Sequence, residues 1–335
     1  MRVMRAFRNI RTPALKQSEL SEEHTRNIEP YRPLLVPEDF RGKSVLDLGC
    51  GDGVLSFLCL IWKAADVCGV ETDKEIFKKA IENAKAYSTD MKSLFICDDP
   101  NRFSFWNTIG TFDAVLSLPL FPSDDAAARR SLLSRAAAHT KKTMYISGSP
   151  DETAGSLLSD ILAFTDFPSI EYKGELTSGE KQHSPLFRLS RTILTQKRTA
   201  RMICSWIKNG TYSKIAVAGK AASGKSLIRK KLKSMIDFDH EYEIIDDCND
   251  KDHLNSAAKM VLFDYRALEY VDDFDAVIFV HTDERMRRND MFLSRTGRFI
   301  LTKWLGYRIL PEKHYLKPSP GGSFKNIKAV YTVKR

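Results

Sequence analysis

The sequence predicts an α/β protein of two doubly wound domains, residues 1–198 and 199–335. Its 335 residues exceed one ordinary core and suit two domains of roughly 130–200 residues each. Twice, near residues 44–62 and 214–233, an apolar run of strand length enters closely spaced glycines and then an apolar-periodic helix. Around these two units, short apolar strands ending in acidic residues alternate with helical stretches. That alternation is the pattern of a parallel sheet covered on both faces.

Composition narrows the class. With 43% hydrophobic and 28% charged residues, the chain has a globular balance, without repeats or low-complexity tracts. Residues 1–11 alternate arginine with apolar residues and lack the apolar run and cleavage site of a signal peptide. The longest apolar runs fall far short of the ~20 residues that span a bilayer, so a cytoplasmic protein is expected. Six cysteines without a CxxC pair support neither a zinc knuckle nor a disulfide framework, and are expected to be reduced and mostly buried. The net charge is +9, and residues 201–335 hold 25 lysines and arginines against 17 acids, which places nearly all the excess there. Such an excess suits nucleic acid, an anionic membrane surface or a polyphosphate ligand.

In the N-terminal half, the strand from Ser44 runs through Asp47-Leu48-Gly49-Cys50-Gly51-Asp52-Gly53 into the apolar helix that starts at Val54. Glycines there let the backbone approach a ligand, and the helix start offers free N–H groups, so a nucleoside-type cofactor site is expected. The next strand ends in Glu71, twenty residues after Gly51, where a carboxylate can accept both ribose hydroxyls. A third strand, residues 94–97, ends in Asp98-Asp99, placed for an adenine amino group. A fourth, residues 112–118, leads to Pro119-Leu120-Phe121-Pro122 at the site mouth.

From Asp47 to Gly53 the Asp-x-Gly-x-Gly-x-Gly spacing resembles the first motif of class I methyltransferases, over roughly residues 20–195. The resemblance implies a Rossmann-like fold that binds S-adenosylmethionine. Asp47, Gly49 and Gly51 would line its methionine part, Glu71 the ribose and Asp98 the adenine. A dinucleotide dehydrogenase shares the glycine turn and the acid, but its Gly-x-Gly-x-x-Gly pattern is absent. Methyl transfer is an in-line displacement that asks chiefly for alignment and exclusion of water. Arg26, Arg32 and Arg188 are candidates to hold an anionic acceptor, and His24 and His183 to act as bases toward a hydroxyl. The competing readings are solvated arginines and structural histidines.

In the C-terminal half, a linking helix over residues 201–208 and a strand over 214–218 precede Gly219-Lys220-Ala221-Ala222-Ser223-Gly224-Lys225-Ser226. This is a full Gly-x-x-x-x-Gly-Lys-Ser loop between strand and helix. Backbone N–H groups of Gly219, Ser223 and Gly224 can cradle phosphates, Lys225 can reach the β and γ oxygens of ATP, and Ser226 can hold Mg²⁺. Later strands end in Asp246-Asp247 and in Asp264. This half resembles the P-loop kinases, which implies that Asp246 or Asp247 accepts the substrate hydroxyl proton and that Asp264 sits near Mg²⁺. Helix capping is the competing role for each aspartate. An arginine-dense stretch with Arg285 and Arg288 resembles a kinase lid that neutralises charge on the transferring phosphoryl group.

Together the halves suggest a bifunctional methyltransferase and kinase acting on a shared small-molecule or saccharide acceptor. Residues 26–35 and 184–188 resemble the methyltransferase half of bifunctional polysaccharide chain-terminating enzymes, which phosphorylate and then methylate a glycan end. The sequence departs from them in having a P-loop, since their kinase half is of the protein-kinase type. A nucleic-acid- or nucleotide-modifying enzyme, and a methyltransferase with the P-loop as a regulatory nucleotide switch, are the alternative readings.

Overall fold

A computed structural model describes residue 15 and residues 20–87, 95–118, 126–150, 152–178, 182–219, 223–236, 242–246, 258–264, 273–281 and 327–334. They group into two compact units. The first runs to Arg191, and the second takes Thr192 onward together with Pro168–Ile170.

The first unit is built on β1 (Ser44–Leu48), β2 (Asp66–Glu71), β3 (Phe95–Cys97), β4 (Phe112–Ser117), β5 (Thr140–Ser147), β6 (Ser169–Ser178) and β7 (Gln182–Ser190). They lie in the order β3-β2-β1-β4-β5-β7-β6. The first five are parallel, and β7 runs antiparallel to β5. Strands β1 and β4 are buried along nearly their whole length, as strands covered on both faces must be.

The helices are α1 (Glu22–Ile28), α2 (Val54–Ile61), α3 (Lys74–Tyr87), α4 (Phe103–Ile109), α5 (Ala126–Ala138) and α6 (Ala154–Phe164). Apolar all round, α2 buries Val54 through Leu60. By contrast α3 is amphipathic and buries Ala80 and Ala84, one turn apart. Its start is fixed by Asp73, whose Oδ1 accepts from Glu75 N at 2.8 Å and Ile76 N at 3.0 Å. These two bonds hold the Asp73 carboxyl below its usual pKa. The chain leaves β1 toward β2 and β3 and then returns to β4, so the carboxyl ends of β1 and β4 form a topological switch point.

The second unit carries α7 (Gln196–Asn209), β8 (Lys214–Ala218), α8 (Lys225–Lys233), β9 (Glu243–Asp246), β10 (Met260–Phe263), β11 (Ala276–His281) and β12 (Ala329–Lys334). Its strands run in the order β12-β11-β8-β10-β9, all parallel. Here β8 is the switch point, with the later strands laid to either side of it. Helix α7 is longer than the helix expected over residues 201–208. Thr195 caps its start by accepting from Arg198 N at 3.4 Å, and Gly210 ends it in the left-handed region at φ 61°.

Among the described residues, no helix is long and apolar enough to cross a membrane. Cys50, Cys59, Cys68 and Cys204 are buried free thiols and Cys97 is an exposed one, while Cys248 lies outside the described residues.

Candidate functional site

In the first unit the glycine turn after β1 is folded tightly. Gly49, Gly51 and Gly53 have φ of 72°, 57° and 93°, the left-handed region in which side chains with a Cβ are strained. Gly49 N and Cys50 N donate to Val70 O at 2.9 and 3.0 Å, which ties the turn to β2. The neighbouring glycines do different work. A Cβ on Gly53 would stand 2.8 Å from the Phe95 ring and 3.1 Å from Phe57, whereas one on Gly51 would meet nothing within 4 Å. Gly53 therefore serves packing, and Gly51 keeps its side of the turn open. Gly53→Ala is expected to destabilise the first unit by about 2–3 kcal/mol and Gly51→Ala by about 1 kcal/mol. Denaturant titration of both variants checks the contrast.

Asp47 lies under this turn, fully buried on the α2 side of β1. Ser56 Oγ donates to its Oδ2 at 2.7 Å, while Oδ1 is buried with no hydrogen-bond partner. Burial pushes the Asp47 carboxyl up to about 6, with the charges of Glu71 and Asp52 adding and the Ser56 bond opposing. A buried carboxylate oxygen without a donor is costly. A cationic group entering from the open side of the turn would supply the missing partner.

Glu71, at the end of β2, joins this cluster. Its Oε2 accepts from Gly51 N at 2.9 Å. Its Oε1 accepts from Thr72 N at 2.8 Å, Asp73 N at 2.9 Å and Thr72 Oγ1 at 3.3 Å. Two ribose hydroxyls were expected here, but a carboxylate has about four lone-pair sites. With these donors in place, only Oε2 has room for one hydroxyl. Asp98 sits half-buried just beyond β3, and its Oδ1 accepts from Asp99 N at 2.7 Å. Asp47, Gly49, Gly51, Glu71 and Asp98 thus stand at the carboxyl ends of β1, β2 and β3, where a doubly wound sheet binds its ligand.

Helix α1 is fastened to the turn. His24 is buried, its Nδ1 bonded to the Tyr87 hydroxyl and its Nε2 3.7 Å from Asp52 Oδ2. Its burial, the Tyr87 bond and the neighbouring Asp52 give His24 a part in holding α1, which corrects its reading as a base. Tyr31 follows, its hydroxyl pKa raised first by burial and then by the charges of Asp47 and Asp52. Tyr31 lies in the 26–35 stretch singled out by resemblance, whereas nothing local in the sequence marked Ser56 or Tyr87.

The arginine candidates separate clearly. Arg26 is exposed. Arg188 is bidentate to Asp39, with Nε to Oδ2 at 2.6 Å and Nη2 to Oδ1 at 2.8 Å, and Tyr145 donates to the same Oδ2 at 2.7 Å. These contacts spend the guanidinium on a fold contact, which corrects its reading as an acceptor-holding group. Arg32 differs, because its Nε and Nη2 are buried without a hydrogen-bond partner, although Glu29 lies 3.4 Å from Nε. His183 is half-exposed beside Glu175.

In the second unit, β8 runs into Gly219, whose φ is 149°. A Cβ there would lie 2.5 Å from the backbone oxygen of Val280 and 3.0 Å from Ser223 Oγ. Gly219→Ala is therefore expected to cost about 3–5 kcal/mol, because a backbone carbonyl cannot step aside. Circular dichroism during chemical denaturation measures that cost. Gly224, at φ 106°, begins α8, and Lys225 Nζ donates to Gly219 O at 2.6 Å. Ser223 is buried, Ser226 is exposed at the first turn of α8, and Asp264 is buried just past β10, the strand beside β8.

Among the described residues, no cluster of three or more histidine, cysteine, aspartate or glutamate side chains could hold a metal. Mg²⁺ at Ser226 and Asp264 would have to be completed by phosphate oxygens. Asp246 ends β9, but its side chain lies outside the described residues, as do Asp247, Arg285, Arg288 and residues 220–222.

Solved structures similar to this chain include the magnesium protoporphyrin IX methyltransferase of Synechocystis PCC 6803. It is 18% identical, with 57% of this chain and 90% of that one covered and a TM-score of 0.40. A protein of Pyrococcus horikoshii OT3 is 19% identical over 56% of this chain and 99% of that one, with a TM-score of 0.38. One of Thermoplasma acidophilum is 18% identical over 49% and 85%, with a TM-score of 0.36. No curated protein matches the chain. Residues 45–143, from the buried strand β1 to the middle of β5, match the protein family described as the methyltransferase domain. Through that stretch, this chain carries a methyltransferase domain of the mixed α/β, Rossmann-like kind.

Proposed function

We propose that the chain is a bifunctional enzyme. Its first unit would transfer a methyl group from S-adenosylmethionine and its second the γ-phosphoryl group of ATP, to a shared small-molecule or saccharide acceptor. The observation that carries the methyl-transfer reading is Asp47, whose buried Oδ1 lacks a donor beneath a glycine turn open at Gly51. A ligand with a cationic amino-acid end fits that need.

Bound there, S-adenosylmethionine supplies an electrophilic methyl carbon, which an acceptor lone pair takes in line as the carbon–sulfur electron pair returns to sulfur. The protein's part is to hold and to align. Asp47 and the glycine turn fix the amino-acid end, Glu71 accepts one ribose hydroxyl through Oε2, and Asp98 faces the base. Arg32, with buried donors still to satisfy, is the residue that takes a carboxylate or phosphate.

In the second unit the Gly219 turn and the start of α8 form the phosphate cradle, in the strand-turn-helix setting that the loop requires. Lys225 would exchange Gly219 O for a phosphate oxygen. Asp246 or Asp247 would accept the proton of the acceptor hydroxyl. Arg285 and Arg288 would neutralise charge on the phosphoryl group, with Mg²⁺ held at Ser226 and Asp264.

A double-label assay tests the reading. Purified protein is incubated with methyl-labelled S-adenosylmethionine, γ-labelled ATP and fractionated extract, and both labels are followed by chromatography. Both labels on one compound support the shared acceptor, and its digestion by glycosidase or by nuclease decides between saccharide and nucleic acid. Methyl label alone, with phosphate label absent or free, removes the kinase and leaves the P-loop as a nucleotide switch.

A further inference from the structure

Lys225 apart, the outer faces of α7 and α8 share a charge pattern that neither reaction needs. Helix α7 carries Lys197, Arg198, Arg201 and Lys208, and α8 carries Lys225, Arg229, Lys230, Lys231 and Lys233. Neither helix contains an acidic residue. Helical periodicity sets Lys197, Arg201, Ser205 and Lys208 on one stripe of α7, opposite the buried Ala200, Ile203 and Ile207. On α8, Lys230 and Lys233 lie opposite the buried Ile228 and Leu232.

The two helices are neighbours. They bury into one apolar cluster, and Cys204 of α7 donates its thiol to Met235 O just beyond α8 at 3.6 Å. Side by side on the same face of the sheet, they turn their outer faces the same way, as a plateau about 15 Å by 20 Å. No hydrogen bond or ion pair of Lys197, Arg201, Lys208, Lys230 or Lys233 to an acidic side chain occurs among the described residues.

We infer that this plateau docks the second unit on a lipid bilayer bearing anionic headgroups. Two of the large apolar side chains that the protein leaves exposed border the plateau, Ile193 leading into α7 at 43% exposure and Leu227 on α8 at 41%. Aliphatic side chains beside lysines suit a headgroup layer. Single-stranded nucleic acid would call for exposed aromatic rings, and the one aromatic of α7, Trp206, is turned in against Tyr212 and Tyr331 at 4.8 and 5.4 Å. The inference goes beyond the proposed reactions and stands without them.

Vesicle flotation of the full chain tests it, with phosphatidylcholine alone and with phosphatidylserine mixed in, at low and at high salt. Binding is expected only to the anionic vesicles and only at low salt. The variant K197Q/R201Q/K208Q/K230Q/K233Q, which leaves Lys225 untouched, is expected to lose on the order of a thousandfold in affinity, at about fivefold for each of the five basic residues near the surface. Ile193→Ser with Leu227→Ser weakens vesicle binding further while leaving oligonucleotide binding unchanged. Equal binding to neutral vesicles, or indifference to salt, overturns the inference without recourse to any variant. So does binding to a duplex or single-stranded oligonucleotide, lost in the five-site variant, with no vesicle binding.

Discussion

Asp47→Asn is expected to weaken S-adenosylmethionine binding by about 10- to 100-fold, the worth of a buried charge-assisted hydrogen bond. It is also expected to change how stability depends on pH. The folded protein keeps a proton on Asp47 up to about pH 6, whereas the unfolded chain releases it near 3.8. Folding therefore takes up a proton between those values, and the native protein loses stability as pH rises through that window. The loss amounts to about 3 kcal/mol and then levels off.

Asparagine cannot titrate, so the profile of the variant should be flatter by that amount between pH 4 and about 6.5. Cofactor binding by the native protein should strengthen over the same range, since a cation pairs with the ionised carboxylate. Calorimetric titration and urea unfolding across pH measure both effects. Parallel stability profiles for the two proteins, or unchanged cofactor affinity in the variant, would sink the assignment of Asp47.

Arg188→Ala is expected to destabilise the first unit strongly. Asp39 and Arg188 pair in bidentate geometry, with Asp39 only 12% and Arg188 21% exposed at the side chain. Tyr145 donates to Asp39 and receives from Val36 N at 3.0 Å, and it stacks on Phe40 at 5.6 Å. Removing the guanidinium leaves a half-buried carboxylate without its counter-charge, a cost of about 3 kcal/mol. For a unit of this size that corresponds to a fall in Tm of about 10 °C. Asp39→Ala together with Arg188→Ala should recover part of the loss, because no charge is then stranded. A variant that melts like the native protein but shows a raised KM for the methyl acceptor would instead return Arg188 to the role that the sequence suggested.

Local features made much of the molecule legible. The two glycine turns, the strands that feed them and the acids at strand ends are written in neighbouring residues, because strand period and glycine conformation are set within a few positions. Asp47, Gly49, Gly51, Glu71 and Asp98 were singled out as candidates this way, as were Gly219, Ser223, Gly224, Lys225 and Ser226. The Thr195 cap was also written locally, yet the helix was expected to start only at residue 201. The roles of the charged and aromatic side chains were less accessible. His24 and Arg188 looked like chemistry because their partners, Tyr87 and Asp39, lie 63 and 149 residues away. Such pairs form only when the sheet assembles.

The sequence by itself determined two α/β units, each with a glycine turn between strand and helix, since apolar period and glycine spacing act through the nearest residues. Only the tertiary structure decided that β10 enters between β8 and β9, and that β1 and β8 each become the switch point of a sheet. The same holds for Asp47 losing a partner at Oδ1, Glu71 spending most of its lone pairs on backbone N–H groups, and Arg188 belonging to Asp39. Burial and long-range pairing set which polar atoms remain to be satisfied, and those quantities exist only after the chain has closed on itself.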